Sequence, residues 1–110
     1  MNHNFSLAIV TLLVITALLS YIYLWNLDAK KTEVTQSCAN LCKTQLNESK
    51  SLANGPCLTN EIAPGWVCDV AHNPRQDVDN LAENQCNAFI NGSARHFVEV
   101  NESCELLRTI

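Results

Sequence analysis

The chain has 110 residues, 47% of them hydrophobic, with six cysteines and a formal net charge of −4. That length accommodates one small domain at most. An acidic balance, with no Lys/Arg cluster beyond Lys30–Lys31, excludes the electrostatic footprint of a nucleic-acid-binding protein, so no nucleic acid is expected as a partner.

Charge and cysteine are confined to one part of the chain. Every Asp, Glu, Lys and Arg lies between Asp28 and Arg108, and every cysteine between Cys38 and Cys104. After a short tail, residues 1–4, the run FSLAIVTLLVITALLSYIYLWNL (residues 5–27) contains no Gly, Pro or charge. At 1.5 Å per residue it makes a helix of about 35 Å, enough to cross a hydrocarbon core of about 30 Å. Thr11, Thr16 and Ser20 are compatible with a span, because a helical hydroxyl can bond a carbonyl of the preceding turn. Tyr21, Tyr23 and Trp25 gather at its C-terminal end, where amphipathic rings favour the headgroup layer. A cleaved signal peptide is disfavoured: no Lys or Arg precedes the run, and bulky residues stand where small ones would be needed for cleavage. Residues 5–27 therefore read as an uncleaved transmembrane signal anchor, with the lipid bilayer as its partner.

Two signals disagree about orientation. Lys30 and Lys31 follow the span, which favours a cytoplasmic C-terminal part whose cysteines would be thiols or metal-cluster ligands. Against this, the cysteine density over residues 38–104 is about 9%, in the range of disulfide scaffolds that persist outside the reducing cytosol. Asn47, Asn91 and Asn101 each open an Asn-X-Ser sequon in the same region, so glycosylation is possible there. The expected topology is single-pass, with the C-terminal domain extracytoplasmic.

Nothing before Gly55-Pro56 forces a break, so a juxtamembrane helix is expected over residues 28–54 with at most one interruption before Asn54-Gly55-Pro56. On it Val34, Cys38, Leu41, Cys42 and Leu46 share one face. Residues 55–110 form the rest of a disulfide-stapled α+β module packed on that helix. CLTNEI and WVCDVA flank Ala63-Pro64-Gly65, and Pro then Gly suits the central positions of a type II turn, which predicts a β-hairpin. DNLAENQCNAFING reads as a second helix, with Asn80 and Glu83 at capping-box spacing, an apolar stripe of Leu81, Ala82, Cys86, Phe89 and Ile90, and Gly92 as a stop. RHFVEV alternates as a strand and is expected to pair with the hairpin. The fold class is α+β: anchor helix, helix, hairpin, helix, strand.

The cysteine spacings are x3, x14, x10, x17 and x17, with no C-x-x-C signature of a zinc ribbon or thioredoxin-type site. Cys38 and Cys42 lie one helical turn apart with parallel Cβ vectors, poor geometry for bonding each other. Each is expected to bond one of Cys57, Cys68, Cys86 and Cys104, leaving two of those four to pair together.

The most chemically loaded stretch is WVCDVAHNPRQ, residues 66–76. No Ser-hydrolase elbow, P-loop, H-E-x-x-H or dinucleotide fingerprint accompanies it, so catalysis is not expected and no cofactor is predicted. The leading expectation is a binding or assembly module. Trp66, His72, Arg75, Arg95, His96 and Phe97 would form an aromatic and basic contact face for another protein or surface component. The alternative is a metal-binding protein or metal-dependent enzyme using His72, His96, Asp69 and Glu99. Each of those His/acid pairs sits three residues apart, which on a strand needs a bend to converge. Arg75, Asp77 and Asp79 read as a solvated loop with an internal ion pair.

Overall fold

The structure, a computed structural model, describes residues 3–110. A helix, α1 (His3–Asn47), leads into four strands, β1 (Cys57–Ala63), β2 (Trp66–Val70), β3 (His96–Val100) and β4 (Leu106–Thr109). A one-turn helix, α2 (Asn87–Ile90), lies between β2 and β3. The chain divides into two compact units, residues 1–31 and Thr32–Ile110.

The first unit is helix alone. α1 is long and apolar enough to cross a membrane, with a mean hydropathy of 2.4 over its most apolar stretch, none of it buried. Its hydroxyls behave as the sequence implies. Thr11 donates to the Ala8 carbonyl at 2.9 Å, Thr16 to Leu13 at 2.9 Å and Ser20 to Thr16 at 2.8 Å. These three hydroxyls therefore need no water. Tyr21 and Trp25, one turn apart, bring their rings to 6.2 Å.

In the second unit the last turns of α1 lie against the sheet. Val34, Cys38 and Cys42 are buried with Cys68, Val70, Val98 and Val100, and Leu41 packs at the margin. Leu46, expected on the same face, lies in the last turn of the helix and is exposed. That end comes at Asn47, earlier than the Asn54 expected. Ser49 adopts φ 61°, its N–H bonds the Leu46 carbonyl at 3.0 Å, and the Lys50 N–H bonds the Gln45 carbonyl at 3.1 Å. This is a Schellman cap with serine in the left-handed position that glycine usually fills. It turns the chain so that Leu52 enters the core.

The sheet order is β1-β2-β3-β4. The hairpin forms as expected: β1 and β2 are antiparallel, Ala63 faces Trp66, and Gly65 takes φ 78°. β3 joins β2 in parallel with unbroken register from Trp66↔His96 to Val70↔Val100. β4, not anticipated from the sequence, closes the other edge antiparallel to β3. A parallel pair needs a crossover, here residues 71–95, and that segment is not the expected second helix. It holds two 3₁₀ turns, Asp77–Asn80 and Ala82–Asn84, followed by α2. Asn80 caps nothing; Gln76 and Asp79 form the box that starts the first turn. Of the proposed stripe only Cys86 is buried, while Leu81, Phe89 and Ile90 are exposed. Gly92, at φ 81°, does end α2.

Three disulfides join the layers: Cys38–Cys68, Cys42–Cys104 and Cys57–Cys86. No cysteine is free. The two helix cysteines thus reach separate later partners and the remaining two pair with each other. The largest fully buried side chains are valines, cysteines and Asp79, with no aromatic among them. A core of that size supplies little burial energy, and restriction of the unfolded chain by bridges compensates.

Candidate functional site

Alternation divides the polar residues between the two faces of the sheet. Trp66, Cys68 and Val70 on β2, with His96, Val98 and Val100 on β3, are on the helix side. Val67 and Asp69, with Phe97 and Glu99, point to the outer face, where the crossover lies. There Val67, Cys86 and Ala94 form a second small core, with Cys57, Ala88 and Phe97 packed against it. Beside it is a cavity of about 90 Å³, lined by Asp69 and Glu99, Arg75 and Arg108, and Phe89 and Phe97, with Val67, Gln85 and Cys86 completing the wall.

The charges in this face are interlocked. Glu99 accepts from Arg75 Nη1 at 3.3 Å and from Arg108 Nε at 3.1 Å. The Glu99 carboxylate is nearly enclosed, while both arginines keep an exposed edge. Asp69 is the register partner of Glu99 on the adjacent strand. Burial, together with the Glu99 charge, pushes the Asp69 carboxyl up to about 7 despite an N–H bond from Val70 at 3.0 Å. The guanidinium of Arg108 sits 4.9 Å from the centre of the Phe97 ring, and Phe89 meets the same ring edge-on at 5.0 Å.

A second polar centre holds the crossover's first loop. The buried Asp79 accepts the His72 N–H at 3.1 Å, the Gln76 N–H at 2.9 Å and the His72 Nδ1–H at 2.9 Å. Burial alone would raise its carboxyl; these donors outweigh it and hold Asp79 below the ordinary carboxylate range. Gly55 makes room for it: a Cβ there would collide with the Asp79 carboxylate, and the residue takes φ +64°. The expectation of a solvated Arg75–Asp79 loop is therefore corrected. Asp79 is 2% exposed. Arg75 reaches its main-chain carbonyl at 3.2 Å and turns its remaining donors to Asn80 and Glu99.

The residues proposed for contact fall into separate groups. Trp66 and His96 stack at 4.5 Å on the helix side, with Trp66 lying over the main core. Phe97 and Arg75 belong to the outer face, His72 is tied into the Asp79 loop, and Arg95 is exposed. The four residues proposed for a metal are likewise separated. Asp69 and Glu99 are neighbours, but His72 is engaged by Asp79 and His96 by Trp66. Among the described residues the one grouping of three metal-ligand atoms is Cys57, Asp69 and Cys86, and its two sulfurs are bonded to each other. Asn47 and Asn91 are exposed, while the Asn101 amide donates to Glu105 at 2.7 Å and accepts two backbone N–H groups.

Two contributors escaped sequence reasoning. Arg108 enters through β4, a strand too short for its alternation to register. Asp79 sits in a polar run that resembles solvated loop, and the only hint of its burial is Gly55, far upstream. No family model, curated protein or solved structure matches the chain.

Proposed function

We propose that the protein is a single-pass membrane protein that presents its disulfide-stapled α+β domain on the extracytoplasmic side as a binding or assembly module. One juxtaposition carries this reading: a wholly exposed apolar helix is continuous with a domain whose every cysteine is bridged. The exposed helix calls for lipid, and the bridges call for an oxidising compartment. The partner is another protein or a surface component. The outer face suits such a contact, with a shallow depression of about 310 Å³ lined by His72, Asn73, Arg75, Glu99, Leu107 and Arg108. Exposed Arg95, just before β3, adds a further cation.

Topology is tested by adding protease outside intact cells and alkylating the untreated protein under denaturing conditions. The expected result is loss of the C-terminal part and no labelled thiol. A protected C-terminal part, or six labelled sulfhydryls, would overturn the reading. For the contact itself, Arg95→Glu, a change at an exposed side chain, should weaken crosslinking to neighbouring surface proteins while leaving the melting temperature unchanged.

A further inference from the structure

The three bridges are not equivalent. Cys38, Cys68 and Cys42 are fully enclosed and Cys104 nearly so, all within the main core. The Cys57–Cys86 bridge lies apart, joining the edge strand β1 to the crossover. Cys57 is only half-buried, whereas Cys86 is buried at the wall of the 90 Å³ cavity. A carboxylate oxygen of Asp69 and both sulfurs lie within 4.8 Å of one another. The bridge thus joins a half-buried cysteine to a buried one, and Asp69 lines the same cavity wall as the buried one. That arrangement suits thiol–disulfide exchange, in which an accessible sulfur is attacked and the other leaves as a thiolate, whose burial a nearby acid relieves by protonating it.

We propose that Cys57–Cys86 is a reactive disulfide that exchanges with an external dithiol, with Cys57 Sγ as the sulfur attacked and Asp69 as the proton donor to Cys86. A thiolate of the dithiol bonds to Cys57 Sγ, the Cys57–Cys86 bond breaks, and its electron pair goes to Cys86 Sγ. That sulfur takes the Asp69 proton. The second thiol of the reagent, as thiolate, then displaces Cys57, which takes a proton from water. The dithiol has lost two electrons and become a disulfide, and the bridge has become two thiols. Asp69 recovers its proton through the cavity, which has room for water.

Asp69 Oδ1 is occupied by the Val70 N–H, which leaves Oδ2 to carry the proton. The groups facing Asp69 are Glu99 from β3, Arg75 and Asp79 from the crossover, and Arg108 from β4 across the cavity. Burial and the adjacent Glu99 keep a large share of Asp69 protonated near neutrality.

The full chain in lipid nanodiscs is treated with limiting dithiothreitol, quenched by alkylation at intervals, and mapped by peptide mass spectrometry. Cys57 and Cys86 should be labelled first, before any label reaches Cys38, Cys42, Cys68 or Cys104. Corrected for the reagent's thiolate fraction, the rate constant should fall as pH rises through about 7. In Asp69→Asn it should be lower by about tenfold or more at pH 6 and independent of pH, with the Cys42–Cys104 rate unchanged. Simultaneous opening of all three bridges, or opening of a core bridge first, would overturn the reactive site. This ordering is read on the unaltered protein and does not depend on how the variant folds. A wild-type pH profile in a folded Asp69→Asn protein would overturn the role of the acid.

Discussion

Asp69 and Asp79 carry the same chemical group and are pushed in opposite directions. Asp79 meets three donors and is held ionised, whereas Asp69 meets one donor and a like charge. Their contributions to stability therefore have opposite signs. Asp69 rises from an ordinary 3.8 to about 7, so across that range the folded chain holds more proton than the unfolded chain, and stability falls as pH rises. Asp79 contributes fully above the ordinary carboxylate range, and its share fades as acid titrates the folded group. The melting temperature of the oxidised protein should decline from pH 5 to 7.5, with Asp69 responsible for on the order of 2–4 kcal/mol. Asp69→Asn should flatten that decline and raise the neutral-pH melting temperature. Thermal melts followed by circular dichroism check this, and an unaltered slope in the variant would remove Asp69 as the cause.

The elements show which local signals survive in the folded chain. Ala63-Pro64-Gly65 specified its hairpin because a type II turn depends on a few bonds among neighbours. RHFVEV specified its strand because aromatic and β-branched residues alternate with polar ones in a short run, although both faces of β3 are covered in the fold. The helix predicted for DNLAENQCNAFING failed because two tertiary demands divide it. Asp79 is drawn to the backbone of His72 and Gln76, and Cys86 to Cys57. Neither demand is local, and together they leave room only for short 3₁₀ turns and one α turn. At the end of α1 the misread signal was chemical. Ser49 occupies a left-handed position where glycine would mark the stop. Ser49→Gly should relieve that strain, offset in part by greater freedom of the unfolded chain, for a gain of about 0.5–1 kcal/mol. Urea denaturation of the full chain measures it.

For the whole molecule, the balance is between a small core and long loops closed by sulfur. The buried set is mainly valine and cysteine, so removing a bridge takes away both packing and chain restriction. Cys42–Cys104 closes the longest loop, a sequence separation of 62. The double variant Cys42→Ala/Cys104→Ala should lose about 2–5 kcal/mol, seen as a lower melting temperature and loosened protection of α1 and β4 in hydrogen exchange. Removal of Cys57 and Cys86 by the same substitutions should spare that protection, since their bridge lies outside the main core.

The sequence by itself determined the division into an apolar helix and a cysteine-rich module, the helix face bearing Cys38 and Cys42, the hairpin, and the strand paired to it. These follow from composition and from periodicities of two and 3.6 residues, which act over distances the sequence displays directly. Only the tertiary structure decided the bridge pattern, the parallel insertion of β3, the β4 edge, and the meeting of Asp69, Glu99, Arg75 and Arg108 on one face. Each of these joins residues far apart in the chain. Their closeness comes from the sheet and the crossover, and no local preference of the chain records it.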